Sequence, residues 1–198
     1  MDWSEGIKGL EKEHQYIRAG LDKNNVFLLK DGCPLKKVVL DNTTDLLLVD
    51  SNWILADWDK LPNINEGCEI KSKTAFYAEI EDEIVKSQNK TVLIALYHPP
   101  MAVGKYNNFL SFGINPQEIS NKYYKDFSNK LLTIAQRFKN VVFVAGHERN
   151  LQYVIERQIP IIISGSINPV SKVKKSLELQ FSSDNPGLPK LPPIVMIQ

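Results

Sequence analysis

Nowhere in these 198 residues is there an unbroken apolar run of about 18, the length a bilayer-spanning helix needs, so no membrane segment is expected. Neither sign of charge dominates. Lys and Arg number 24 against 23 Asp and Glu, so the basic footprint of a nucleic-acid or anionic-membrane binder is missing. Met1 is followed at once by Asp2, Trp3, Ser4 and Glu5, which is not the pattern of a secretory leader. Internal repeats and low-complexity segments are absent as well. Cysteine is scarce: Cys33 and Cys68 fit no metal-ribbon spacing and read as two buried thiols or one disulfide. What is present is enough apolar residue, 43%, to bury a core as one domain or slightly more.

The chain is organised around Asn140 to Tyr153. Val141 to Ala145 is an apolar run too short for a helix, so it reads as a strand buried on both faces. Gly146 ends it and His147 follows. Thr91 to Leu96 repeats the pattern, with Tyr97-His98-Pro99-Pro100 behind it. In an α/β sheet, polar residues just beyond the carboxyl ends of buried strands sit where ligands bind. Two strands that each deliver a histidine there point to one shared site.

Taken in order, Ile7, Leu10, His14, Ile17 and Leu21 share a face, so a helix is expected over about 5–20, with His14 as a packing residue. Val38 to Leu40 and Leu46 to Asp50 read as strands joined by a polar turn, with Asp50 as a cap or turn former. Trp53 to Gly67 reads as an irregular surface loop held down by its aromatics. Phe76, Ile80 and Ile84 support a helix over 73–87, and Met101 to Pro116 reads as a long loop. Tyr124, Phe127, Leu131, Ile134 and Phe138 place an amphipathic helix over 120–138. Ile159 to Ser164 is a further buried strand, closed by Gly165. Lys172, Lys174 and Lys175 read as a solvated face, Ser182 to Pro193 as irregular, and Ile194 to Gln198 as a terminal strand. The sum is an α/β architecture with a sheet covered by helices.

These residues carry a resemblance. Gly146-His147-Glu148-Arg149-Asn150-Leu151-Gln152-Tyr153 resembles the Gly-His-x-His segment of calcineurin-like metallophosphoesterases, and Ala95-Leu96-Tyr97-His98-Pro99-Pro100 is similar to their His-His-Pro segment. The strands ending at Asp50 and Ser164 follow the family order. Asp2-Trp3 looks like the end of a Gly-Asn-His-Asp motif, with Met1 in its histidine's place. The resemblance implies a β-sandwich flanked by helices, with 1–181 as the C-terminal portion of a phosphoesterase domain, its N-terminal half absent, and 182–198 as a Pro-rich tail. It also implies hydrolysis of phosphate esters at a pair of divalent ions (Mn, Fe or Zn), which supply the nucleophile and neutralise developing charge.

The ligand set needed for that chemistry is thin here. The sequence has no Asp-x-His, Gly-Asp or Gly-Asn pair. Tyr97 stands where the metal-binding histidine of His-His-Pro belongs, and Arg149, which cannot ligate a metal, replaces the second histidine of Gly-His-x-His. His147 and His98 remain as the matched metal ligands, but His98 matches the second histidine of its segment, and neighbours on an extended chain, Tyr97 and His98, point in opposite directions. About three protein ligands per catalytic ion are usual, so no tightly bound metal is expected from this chain alone. Three readings follow. The chain is a degenerate, inactive phosphoesterase portion; or a complementary chain supplies the missing half; or Arg149, helped by His147, Asn150 and Gln152, grips a phosphate or carboxylate without catalysis.

Overall fold

The computed structural model describes residues 7–20, 29, 32–102, 118–148 and 150–164. Arg149, residues 103–117, the lysines at 172, 174 and 175, the tail over 182–198 and the Asp2-Trp3 start lie outside them.

Within the described residues the chain runs α1 (Ile7–Gly20), β1 (Leu35–Val39), β2 (Thr44–Val49), α2 (Ser51–Leu55), α3 (Pro62–Asn65), α4 (Lys73–Lys86), β3 (Thr91–Leu96), α5 (Lys122–Ala135), β4 (Val141–Ala145), β5 (Gln152–Glu156) and β6 (Ile159–Ile163). A 3-10 turn, Trp58–Lys60, separates α2 from α3. The strands form one six-stranded sheet in the order β1-β2-β3-β4-β6-β5. Neighbours β2, β3, β4 and β6 are parallel, and β1 and β5 close the two edges antiparallel. This is the α/β class, with a mixed sheet flanked by helices.

The parallel strands step across the sheet in one direction, and right-handed crossovers then place the connecting helices on one face. Burial agrees. Leu47, Val49, Val92, Ile94, Leu96, Phe143, Ile161 and Ile163 alternate onto the covered face and share one core with Phe76, Ile80 and Ile84 of α4 and Tyr124, Phe127 and Leu131 of α5. Ser72 starts α4 by accepting the Ala75 N–H at 3.1 Å, and Asn121 starts α5 by accepting that of Tyr123 at 3.0 Å. Side chains at the alternate positions, Leu46, Leu48, Leu93, Ala95, Val142 and Val144, are also apolar but only half-buried, and Ile162 is exposed.

Three local expectations change. Residues 53–67 are not irregular: they hold α2, the 3-10 turn and α3, with Trp53 and Trp58 buried, in pieces too short to show a period. The first strand begins at Leu35 rather than Val38, because Lys37 has ion partners in Asp45 and Glu83 that make its place in a strand tolerable. Gln152–Glu156 is a strand that pairs with β6 through the two-residue Arg157-Gln158 turn. Both turn residues have positive φ (50° and 66°), the backbone of a two-residue hairpin normally given to Asn-Gly. Cys33 and Cys68 form a disulfide, which resolves the pair left open by the sequence. It ties the start of β1 to the segment after α3, where Gly32 (φ 77°) passes so close to the Ile64 carbonyl that a Cβ would collide with it.

Candidate functional site

Three adjacent parallel strands end side by side, Val49 opposite Leu96 and Leu96 opposite Ala145. The residues after them therefore converge: Asp50-Ser51-Asn52 from β2, Tyr97-His98-Pro99 from β3, and Gly146-His147-Glu148 from β4. Nearly all are buried, His98 and Glu148 completely, His147 to 7% exposure.

Asp50 begins α2. Its carboxylate Oδ1 accepts the N–H groups of Asn52 (2.9 Å) and Trp53 (3.1 Å), so the cap expected of it is real. Burial outweighs these two bonds and pushes its carboxyl up to about 7. Next to it, the Ser51 hydroxyl lies 2.8 Å from His98 Nδ1 and also accepts the His98 backbone N–H at 3.2 Å. The Ser51 hydroxyl thus holds both the ring and the backbone of His98.

The His98 and His147 rings lie 4.9 Å apart at their centroids. Tyr97 meets both edge-on, at 4.9 and 5.2 Å, and Tyr124 of α5 closes over them at 5.4 and 6.4 Å. The opposed directions expected for Tyr97 and His98 do not occur. β3 ends at Leu96, so strand alternation no longer governs the pair. Tyr124 is anchored by donating its hydroxyl hydrogen to the Pro99 carbonyl at 2.9 Å. Burial first, then the Glu148 carboxylate, then Tyr97 hold that phenol far above its ordinary pKa, so it remains a donor.

His147 is in the left-handed region, at φ 71°, and the Glu148 N–H bonds back to the Gly146 carbonyl at 2.9 Å across it. A two-residue bond around a positive-φ centre has the form of the rarer, strained γ-turn. Strain of this kind costs on the order of 1–3 kcal/mol and persists where packing over-determines it, typically at sites.

The sequence thus foresaw the meeting of His98 and His147. Asn150 and Gln152 are buried nearby and bonded to one another, Gln152 Nε2 donating to Asn150 Oδ1 at 2.6 Å. Arg149 lies outside the described residues. Ser51, Tyr124 and Glu148 were missed. Ser51 and Glu148 each directly follow a residue already singled out, so proximity to a strand end was the usable signal. Tyr124 was hidden in the apolar stripe of its helix.

These residues do not fit a pair of divalent ions. His98 already has Ser51 on Nδ1 and is sealed among rings, and among the described residues no Cys, Asp, Glu or further His joins the two histidines within sharing distance of one ion. The described grouping that could share an ion, Glu79, Asp82 and Glu83, is on α4, where Lys37 and Lys86 pair with its members. What the strand-end cluster offers instead is hydrogen bonding and proton-holding groups: two imidazoles, two phenols, a hydroxyl and two buried carboxyls.

An α/β sheet with its polar cluster beyond the carboxyl ends of parallel strands is the class that the geometry defines. No protein-family model matches the chain, and no curated protein matches it in sequence. Among solved structures it is similar to GAP50, the anchor in the inner membrane complex of Plasmodium, at 9% identity and a TM-score of 0.38, over 66% of this chain and 36% of that one. It is also similar to a Staphylococcus aureus protein described as a 5'-nucleotidase and solved in complex with alpha-ketoglutarate, at 11% identity and a TM-score of 0.33, over 67% of this chain and 24% of that one. The chain therefore spans about a third and about a quarter of the length of these structures. Likeness this distant fixes neither activity nor substrate.

Proposed function

We propose that the chain is a portion of a calcineurin-like phosphoesterase whose metal chemistry has been lost, so that it hydrolyses no phosphate ester by itself. The observation that carries this reading is the sealing of His98. Its Nδ1 is held by Ser51 and its ring is enclosed by Tyr97, Tyr124 and His147, where a working centre needs ligand atoms open to an ion. The test is metal content of the purified protein, followed by a phosphate-monoester assay in added manganese. The expected result is metal well below one ion per chain and turnover equal to that of His147→Ala. Turnover clearly above that control overturns the reading.

A second reading, completion by another chain, is favoured by the apolar second face of the sheet. Sheets of parallel strands are rarely left open on one side, and Leu46, Leu48, Leu93, Ala95, Val142 and Val144 are only half-buried. An upstream reading frame ending in Gly-Asn-His would support it, and unrelated upstream sequence would remove it. In a third, competing reading Arg149, helped by His147, Asn150 and Gln152, grips a phosphate oxygen without catalysis. A flat calorimetric titration with inorganic phosphate, for both the wild type and Arg149→Ala, ends that reading.

A further inference from the structure

Cys33 and Cys68, 35 residues apart in sequence, are joined with their Cα atoms 5.4 Å apart. The bridge forms part of the wall of a cleft of roughly 470 Å³, together with Pro34, Gly67, Ile70 and Ala75. Three connections lead from it to the strand-end cluster. Pro34, adjacent to Cys33, accepts the Asp50 backbone N–H through its carbonyl at 2.9 Å. The Asp50 carboxylate holds the first N–H groups of α2. Ser51, the first residue of that helix, holds both Nδ1 and the backbone N–H of His98.

Each connection is weak without the one before it. β1 is an edge strand with a single neighbour, and its first residue, Leu35, pairs with Val49 at the end of β2. α2 has five residues, too few to be stable as a free helix, so its first turn depends on its cap. The cap's position depends in turn on the Pro34 carbonyl.

We propose that the Cys33–Cys68 disulfide is a redox lever on His98: reduction by a dithiol frees the start of β1, releases Asp50 from Pro34 and unseats Ser51 from the imidazole. In the reaction, one thiolate of the dithiol attacks a bridge sulfur to give a mixed disulfide, and its second thiolate displaces the protein. Two electrons and two protons pass to the cysteines, and the reagent leaves as a cyclic disulfide. The lever concerns how His98 is held and involves no phosphate or metal, so it stands apart from the phosphoesterase reading.

The chain has three histidines, which makes the experiment simple to read. The full chain, oxidised or reduced with dithiothreitol, is acylated with diethyl pyrocarbonate, and the rate at each histidine is followed by peptide mass spectrometry. Reduction is expected to speed acylation of His98 at least tenfold. His14 should change less than twofold, and the amides of β4 and β6 should keep their hydrogen-exchange protection. Ser51→Ala is expected to raise the His98 rate in the oxidised protein, with reduction adding nothing further. The proposal is overturned by any of three results: an unchanged His98 rate on reduction, an equal rise at His14 and in the β4 and β6 amides, or a slow His98 in oxidised Ser51→Ala.

Discussion

Asp45 and Asp50 mark the two ends of the same strand, and their surroundings are opposites. Asp45, at the start of β2, is buried among cations and donors. Lys90 Nζ lies at 2.8 Å and Lys37 Nζ at 3.4 Å, and the Ser87 hydroxyl donates at 2.7 Å. Asn140 fastens the same corner by donating to the Ser87 and Lys90 carbonyls. The Lys90 bond, followed by those of Ser87 and Lys37, overcomes burial and holds the Asp45 carboxyl down to about 2. Asp50, beyond the far end, is as inaccessible to solvent but lies deeper in the protein and gets only backbone N–H groups, so its carboxyl rises to about 7. One end of the sheet neutralises its buried charge with partners. The other accepts the cost of leaving a carboxyl, two imidazoles and Glu148 close together, with His147 in a strained backbone. Titratable groups gathered at one edge of a sheet, one of them a carboxyl raised by burial, point to function rather than stability.

The contrast can be broken most forcefully at Asp45. Asp45→Ala leaves two lysines and a hydroxyl facing an apolar void. Because both lysines are about a quarter exposed, the loss should be about 2–3 kcal/mol rather than the larger value of a fully buried pair, read as a lower urea midpoint. At the other end, Tyr124→Phe orphans the buried Pro99 carbonyl and should cost about 1–2 kcal/mol in the same assay.

The pH dependence sharpens the comparison, because the two ends have opposite signs. Asp45 has a depressed carboxyl in the folded state, so its contribution is full above about pH 4 and is lost as pH falls towards 2. Asp50 has a raised one, so its contribution is full below about pH 4 and is lost as pH rises through 7. Asp50→Asn keeps a competent cap and should leave stability within about 0.5 kcal/mol at pH 4. It should gain steadily on the wild type as pH rises from about 4 towards 8, because only the wild type has a buried carboxyl whose ionisation the folded state resists. Parallel denaturation curves for the two proteins across that range would remove the contrast. The smallest effect belongs to the surface: Lys86→Ala, which breaks exposed pairs with Asp82 and Glu83, should move the midpoint by no more than about 0.5 kcal/mol.

The elements that could be read from sequence are those whose own residues decide them. Val141–Ala145 and Thr91–Leu96 are found where their apolar runs lie, because a strand buried on one face and half-covered on the other needs apolar side chains throughout. α5 follows its stripe of aromatic and aliphatic residues but stops at Ala135, leaving Phe138 to pack from the turn beyond. β5 escaped notice because its hairpin turn has neither glycine nor asparagine, and its buried Gln152 looked like a ligand group instead of a strand residue. The site was half legible for a similar reason. His98 and His147 announce themselves by following strands, whereas the Ser51 bond and the Tyr124 lid arise from segments far apart in sequence.

The Arg157-Gln158 hairpin has a consequence for engineering. Two side-chain-bearing residues hold a conformation that glycine adopts freely, and Arg157 reaches across to Asn129 Oδ1 (3.0 Å) and Thr133 Oγ1 (3.2 Å) on α5, latching the turn. Gln158 takes no part in that latch, so Gln158→Gly relaxes the bend while the clasp stays shut. Natural selection has left slack at this corner, and a designer wanting a hardier scaffold would begin there.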